Sequence, residues 1–202
     1  MLAHKPALTK DHKGYTLVEL LVVISLVSIL FMSFGVFFTN YLKLYFGHQE
    51  DANNFSDIAN QSTRISDVLR GIVDITSVGA SELVAYAYFA PTDTYTSVVR
   101  YYLSPDGKSI MVDVTPMTAN PPNGTLQTAL KKSYVIVSNY HAQTGVNLFT
   151  YYDISGTALS LPVANQHTIT SIGVNLSTAA THNSKGQQLA ITVSLRNRKT
   201  NL

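Results

Sequence analysis

Hydrophobic and polar positions divide the chain into three regimes. From Tyr15 to Phe38 the residues are almost all apolar, and no Asp, Glu, Lys, Arg or His occurs between Leu20 and Leu42. As a helix, these 24 residues (15 to 38) would reach about 36 Å, enough for a hydrocarbon core of ~30 Å. From Gln49 to Arg70 the chain turns polar, rich in Asp, Asn, Gln and Ser. Its apolar residues, Ile58, Ile65, Val68, Leu69 and Ile72, recur at helical spacing. That stripe predicts one long helix, or two separated by a bend near Gly47, ending around Arg70-Gly71, where Gly suits a C-cap.

Beyond Gly71 the period changes to two. Strands are predicted at 71–78, 82–89, 97–103, 109–114, 134–139, 148–153, 168–176 and 188–196. Ser104-Pro105-Asp106-Gly107 reads as a hairpin turn, because Pro sets φ at the first central position and Gly accepts positive φ. Asp153-Ile154-Ser155-Gly156 reads as the end of another strand. Residues 116–124, Gly145 and 179–186 read as surface loop. The expected fold class is α+β: a long N-terminal helix, transmembrane in its first half and amphipathic in its second, packed on an antiparallel β-sheet head. The expected divisions are a leader at 1–14, a transmembrane and assembly helix at 15–42, an amphipathic helix at 43–71 and a β-rich head at 72–202.

Composition sharpens this picture. Charged residues make up 13% of the 202-residue chain, well below the roughly 25% of soluble domains, and the deficit is concentrated in the apolar run. The formal charge is +2, and Lys5, Lys10 and Lys13 against Asp11 supply it, which leaves the remainder near neutral and argues against a nucleic-acid footprint. There is no cysteine, so disulfide frameworks and thiolate metal sites are excluded. Residues 1–14 lack the apolar core of a secretory signal peptide, and their basic charge abuts the hydrophobic run. The positive-inside rule then places 1–14 in the cytoplasm and the bulk of the chain outside. Ser25, Ser28, Ser33 and Gly35 are small enough to let neighbouring helices approach.

Candidate chemistry centres on Glu19. A carboxylate near the end of a membrane helix costs ~1 to 3 kcal/mol depending on depth, so it needs a partner. Cleavage after Gly14 would make the α-amine of Tyr15 a cation at the same depth, and pairing it with Glu19 of a neighbouring subunit would reward side-by-side assembly. Alternatively, Glu19 sits at the headgroup boundary and complements the helix macrodipole.

The run Gly14-Tyr15-Thr16-Leu17-Val18-Glu19-Leu20-Leu21-Val22-Val23-Ile24-Ser25-Leu26, behind a basic leader, resembles the processing and assembly signal of type IV prepilins and type II secretion pseudopilins. The resemblance implies removal of the leader after Gly14 by a prepilin peptidase, which usually also methylates the new N-terminus. It implies Tyr15 as the first mature residue and Glu19 as the assembly glutamate. The first mature residue of the family is usually Phe, many major pilins carry a mid-helix proline that residues 15–45 lack, and many close a C-terminal disulfide that this chain cannot form. The closing run Ile191 to Asn197 is similar to the C-terminal strand of J-type pseudopilins and W-type minor pilins, which implies a minor subunit. Implied partners are the prepilin peptidase, other pilin or pseudopilin subunits, an inner-membrane assembly platform and membrane lipid. The implied location is a single-pass membrane protein with a cytoplasmic leader, later drawn into a pilus or pseudopilus fibre.

Other features weigh less. His4, His12, His48, His141, His167 and His182 are scattered without metal-ligand spacing, and no nucleophile, phosphate-loop or dinucleotide motif occurs. No catalytic residue, cofactor or metal is expected. Asn60-Gln61-Ser62, Asn123-Gly124-Thr125 and Asn175-Leu176-Ser177 match the glycosylation pattern. Tyr86, Tyr88, Tyr101, Tyr102, Tyr134, Tyr140, Tyr151 and Tyr152 could form a binding surface, although strand tyrosines more often serve half-buried packing. Lys131, Lys132, Arg196, Arg198 and Lys199 would permit weak phosphate contact in a competence pseudopilus, without amounting to a nucleic-acid site. An uncleaved signal-anchored receptor or sensor is an alternative, and an extracellular enzyme a third.

Overall fold

The computed structural model describes residues 14–179 and 186–196. The leader before Gly14, His182, most of the 179–186 loop, Arg198 and Lys199 lie outside the described residues. Helix α1 runs from Leu17 to Arg70 as a single 54-residue element through Gly47. The chain divides into two compact units, one up to Phe46 and one from Gly47.

In the first unit every residue of α1 from 17 to 41 is exposed, so a helix long and apolar enough to cross a membrane carries no protein cover. Its hydroxyls are turned inward on the helix. Ser25, Ser28 and Ser33 donate to the carbonyls of Leu21, Ile24 and Ile29 at 2.8, 2.8 and 2.9 Å. Thr39 donates to Gly35 and Val36. Back-bonding of this kind removes polar groups from the helix surface, which suits a segment whose solvent is lipid.

In the second unit α1 buries Ile58, Ser62, Ile65, Val68 and Leu69. The stripe predicted from spacing is the buried one, and Ser62 fills its gap between Ile58 and Ile65 while donating to Ala59. The helix ends at Arg70, as expected. Gly71 N–H is shared between the carbonyls of Asp67 and Val68, but Gly71 is not among the residues of positive φ. The left-handed C-cap that a terminal Gly suggests is therefore not used; Ile72 instead turns into the core, donating to Leu69.

Eight strands follow: β1 (Asp74–Val78), β2 (Glu82–Ala87), β3 (Ser97–Leu103), β4 (Ile110–Pro116), β5 (Lys132–Val137), β6 (Phe149–Tyr152), β7 (Ser171–Ser177) and β8 (Gln188–Ser194). Each predicted strand has a counterpart, but they form two antiparallel sheets, β1-β2-β3-β4-β5 and β6-β7-β8. Boundaries move where local side-chain chemistry wins. The stretch predicted to open at Thr168 opens at Ser171, because Gln166–Thr168 is a 3-10 turn capped by the Asn165 side chain. The stretch predicted to run to Asn139 stops at Val137, since Asn139 takes φ 58°. The expected hairpin joins β3 to β4: Gly107 has φ 69° and donates to Ser104, and Asp106 accepts from Lys108 N–H. Pro116, predicted as loop, is the last residue of β4, and Met117 still bridges to Leu126.

The inner faces of β2, β3 and β4 place Leu83, Ala85, Val99, Tyr101, Val112 and Val114 in one core with the α1 stripe. The sheets are stitched by Tyr151 of β6. Its hydroxyl donates toward the carbonyls of Gly79 and Glu82 at 3.0 and 3.2 Å, in the turn between β1 and β2.

Candidate processing and assembly site

Gly14 and Tyr15 precede the helix, and Tyr15 is 87% exposed. Thr16 is the N-cap: the first i to i−4 bond of α1 runs from Leu20 N–H to the Thr16 carbonyl at 3.2 Å. Thr16 and Glu19 then satisfy each other. Glu19 N–H donates to Thr16 Oγ1 at 3.3 Å, Thr16 N–H donates to Glu19 Oε2 at 3.0 Å, and Thr16 Oγ1 reaches the same Oε2 at 3.1 Å. Thr-Leu-Val-Glu is a capping box, in which the N-cap and the residue three later exchange hydrogen bonds and satisfy two donors that the first turn leaves open.

This geometry changes the question posed by Glu19. One carboxylate oxygen is already engaged within its own chain, beside the atom that becomes an α-amine if the chain is cut after Gly14. The macrodipole reading and the pairing reading are therefore compatible: the cap holds the carboxylate at the helix mouth, next to where the cation would arise. Sequence reasoning singled out Glu19 and passed over Thr16, although Ser or Thr followed three residues later by Glu is itself an N-terminus signal. Substituting Thr16→Val removes the hydroxyl while preserving side-chain shape. It should cost about 1 kcal/mol of capping, seen in detergent micelles as roughly fivefold faster amide hydrogen exchange from Thr16 to Leu20, with later turns unchanged.

The head offers other candidates. The eight tyrosines singled out from the sequence do not form one surface: Tyr101, Tyr140 and Tyr151 are buried, and burial pushes all three phenols up from their ordinary range. Packing accounts for these three. Among the basic residues, Lys131 is tied to Asp113 at 2.8 Å, whereas Lys132 lines a cleft with Arg64 and Tyr134. The two adjacent lysines thus serve different places and do not add into one phosphate-binding row.

On the outward face of the first sheet, Asp113 of β4 is 4% exposed. It accepts from Ser133 Oγ at 2.6 Å and from the Tyr102 hydroxyl at 3.3 Å. Arg100 stands 3.9 Å from it and 2.8 Å from Glu82. Burial raises the affinity of Asp113 for a proton, but the hydrogen bonds from Lys131 and Ser133 and the Lys131 charge more than offset it, holding the carboxyl below its usual range.

Residues 9–34 match the prokaryotic N-terminal methylation motif. No curated protein matches the chain. The motif implies processing by prepilin peptidase and assembly with other pilins, and its family is structural rather than catalytic. Together with the uncovered apolar helix it fits a membrane-anchored protein. With Gly14, Tyr15, Thr16 and Glu19 at the mouth of that helix, the chain carries the signature of type IV prepilin-like proteins, the pilins and pseudopilins.

Proposed function

We propose that this protein is a minor pilin or pseudopilin, a structural or priming subunit of a type IV pilus or type II secretion pseudopilus. It is inserted with the leader in the cytoplasm, cut between Gly14 and Tyr15 by prepilin peptidase, and drawn from the membrane into a fibre by packing of the apolar half of α1. Glu19 pairs with the α-amine of Tyr15 from a neighbouring subunit, and the head is displayed outside. In this reading no residue carries catalysis.

The observation that carries it is the run Gly14-Tyr15-Thr16-Leu17-Val18-Glu19 at the entrance of a helix whose residues 17–41 are all exposed. Apolar surface of that extent is tolerated in lipid or against other helices. The reading is tested at the N-terminus: in cells with an active prepilin peptidase the chain should begin at Tyr15. A chain that still begins at Met1 there is an uncleaved anchor instead.

A further inference from the structure

On the inner side of the first sheet, beyond the part covered by α1, lies a cleft of about 570 Å³. Arg64 of α1 stands 4.9 Å over the Phe89 ring, and Phe89 stacks on Tyr134 of β5 at 5.6 Å. Tyr95 reaches the same cleft and is 46% exposed. Among the described residues Arg64 and Lys132 pair with no carboxylate. The acid that lines the cleft, Asp93, spends Oδ2 on the amides of Phe89 and Ala90 at 3.1 and 2.8 Å, bending the loop between β2 and β3. The cleft is therefore aromatic in its walls and carries two available cations. It suits an acidic segment with a large apolar side chain.

The chain itself carries such a segment. Phe55 stands one heptad before Ser62, on the face that α1 buries from Ile58 onward, yet Phe55 is 46% exposed. Asp51 lies one helical turn earlier on that face, with Glu50 beside it. We propose that the cleft receives the Glu50-to-Phe55 turn of α1 from a second copy of the chain, with Phe55 against the Phe89, Tyr95 and Tyr134 rings and the acids facing Arg64 and Lys132. The two patches differ, so the contact is heterologous, of the kind that makes a closed ring or an open helical filament according to its rotation. The inference rests on the assembly reading above and adds a head-level contact to it.

The absence of cysteine makes cross-linking free of background. Two tagged copies of the full chain, one Ala52→Cys and one Thr94→Cys, are co-expressed in cells that assemble the fibre and treated with a short bismaleimide. A Leu26→Cys pair reports packing of the membrane helices. The proposal expects a mixed-tag dimer from Ala52→Cys with Thr94→Cys. Adding Arg64→Glu and Lys132→Glu to the Thr94→Cys copy should reduce it about tenfold or more, and Glu50→Lys with Asp51→Lys in the other copy should restore it. Restoration also shows that the reversed-charge chain still folds. If the Leu26→Cys pair cross-links while the mixed pair does not, or Thr94→Cys links to a different protein, or charge reversal changes nothing, the contact is refuted and assembly stands. If neither pair cross-links, two copies do not adjoin and the contact is refuted, while the N-terminus at Tyr15 or Met1 decides the assembly reading separately.

Discussion

Glu19→Leu is expected to leave cleavage after Gly14 intact and to lower recovery of the chain in sheared fibres about tenfold or more, with the protein accumulating in the membrane. Two effects are removed together by this substitution. The first is the capping box, worth about 1 kcal/mol to the first turn, which can fray the helix mouth but gives no reason for loss from a fibre. The second is the negative charge awaiting a neighbour's α-amine. Glu19→Gln separates them, because Gln can accept the Thr16 N–H in the same box while carrying no charge. If charge pairing drives assembly, Glu19→Gln should be excluded from fibres nearly as strongly as Glu19→Leu. If Glu19→Gln assembles normally, the carboxylate serves the cap alone.

Asp113→Ala is expected to produce a large loss of head stability, about 2 to 3 kcal/mol, equivalent to ~5 to 10 °C in melting temperature for a head of this size. Removing one partner of a buried charge cluster leaves the others unpaired, which costs ~3 to 5 kcal/mol when they too are buried. Here the side chains of Lys131 and Arg100 are 48% and 44% exposed, so water recovers part of that cost. Lys131→Ala, which leaves Ser133 and Tyr102 on the carboxylate, should cost less. Thermal unfolding of the detergent-solubilised chain, followed through the β-sheet circular dichroism signal, measures both. The cluster also sets a pH dependence. Since the folded-state pKa of Asp113 lies below its unfolded value of ~3.9, its stabilising contribution is fully present above that unfolded value. It is lost as pH falls through the folded one, where the native state binds the proton. Acidification below about pH 4 should therefore destabilise the wild-type head more than Asp113→Asn, with the two curves converging as the carboxyl is neutralised.

Much of the architecture was legible in the sequence because it rests on local periodicity. Ile58, Ile65, Val68 and Leu69 repeat at helical spacing and are buried together, and the eight alternating stretches all became strands. Division of those strands between two sheets was not legible, since it depends on long-range ties such as Tyr151 to the turn at Gly79. Gly71 does follow the last helical residue and its N–H closes onto the last turn, but without positive φ, and the burial of Ile72 directly after it is set by the core and not by local sequence. At the N-terminus, Glu19 stood out because charge in an apolar run is rare, whereas Thr16 was overlooked because a hydroxyl there is ordinary until its partner is seen. The cleft of Arg64, Phe89, Lys132 and Tyr134 left no mark in sequence. Its residues come from a helix, a loop and an edge strand that only the fold brings together.

The measurement that bears most directly on the whole account is mass spectrometry of the N-terminal peptide of the full chain, recovered from membranes of paired cells with and without prepilin peptidase. A processed subunit gives a peptide beginning at Tyr15 in the first and at Met1 in the second. A chain beginning at Met1 in both would contradict that processing, leaving a permanently anchored head and a capping box with no amine to meet.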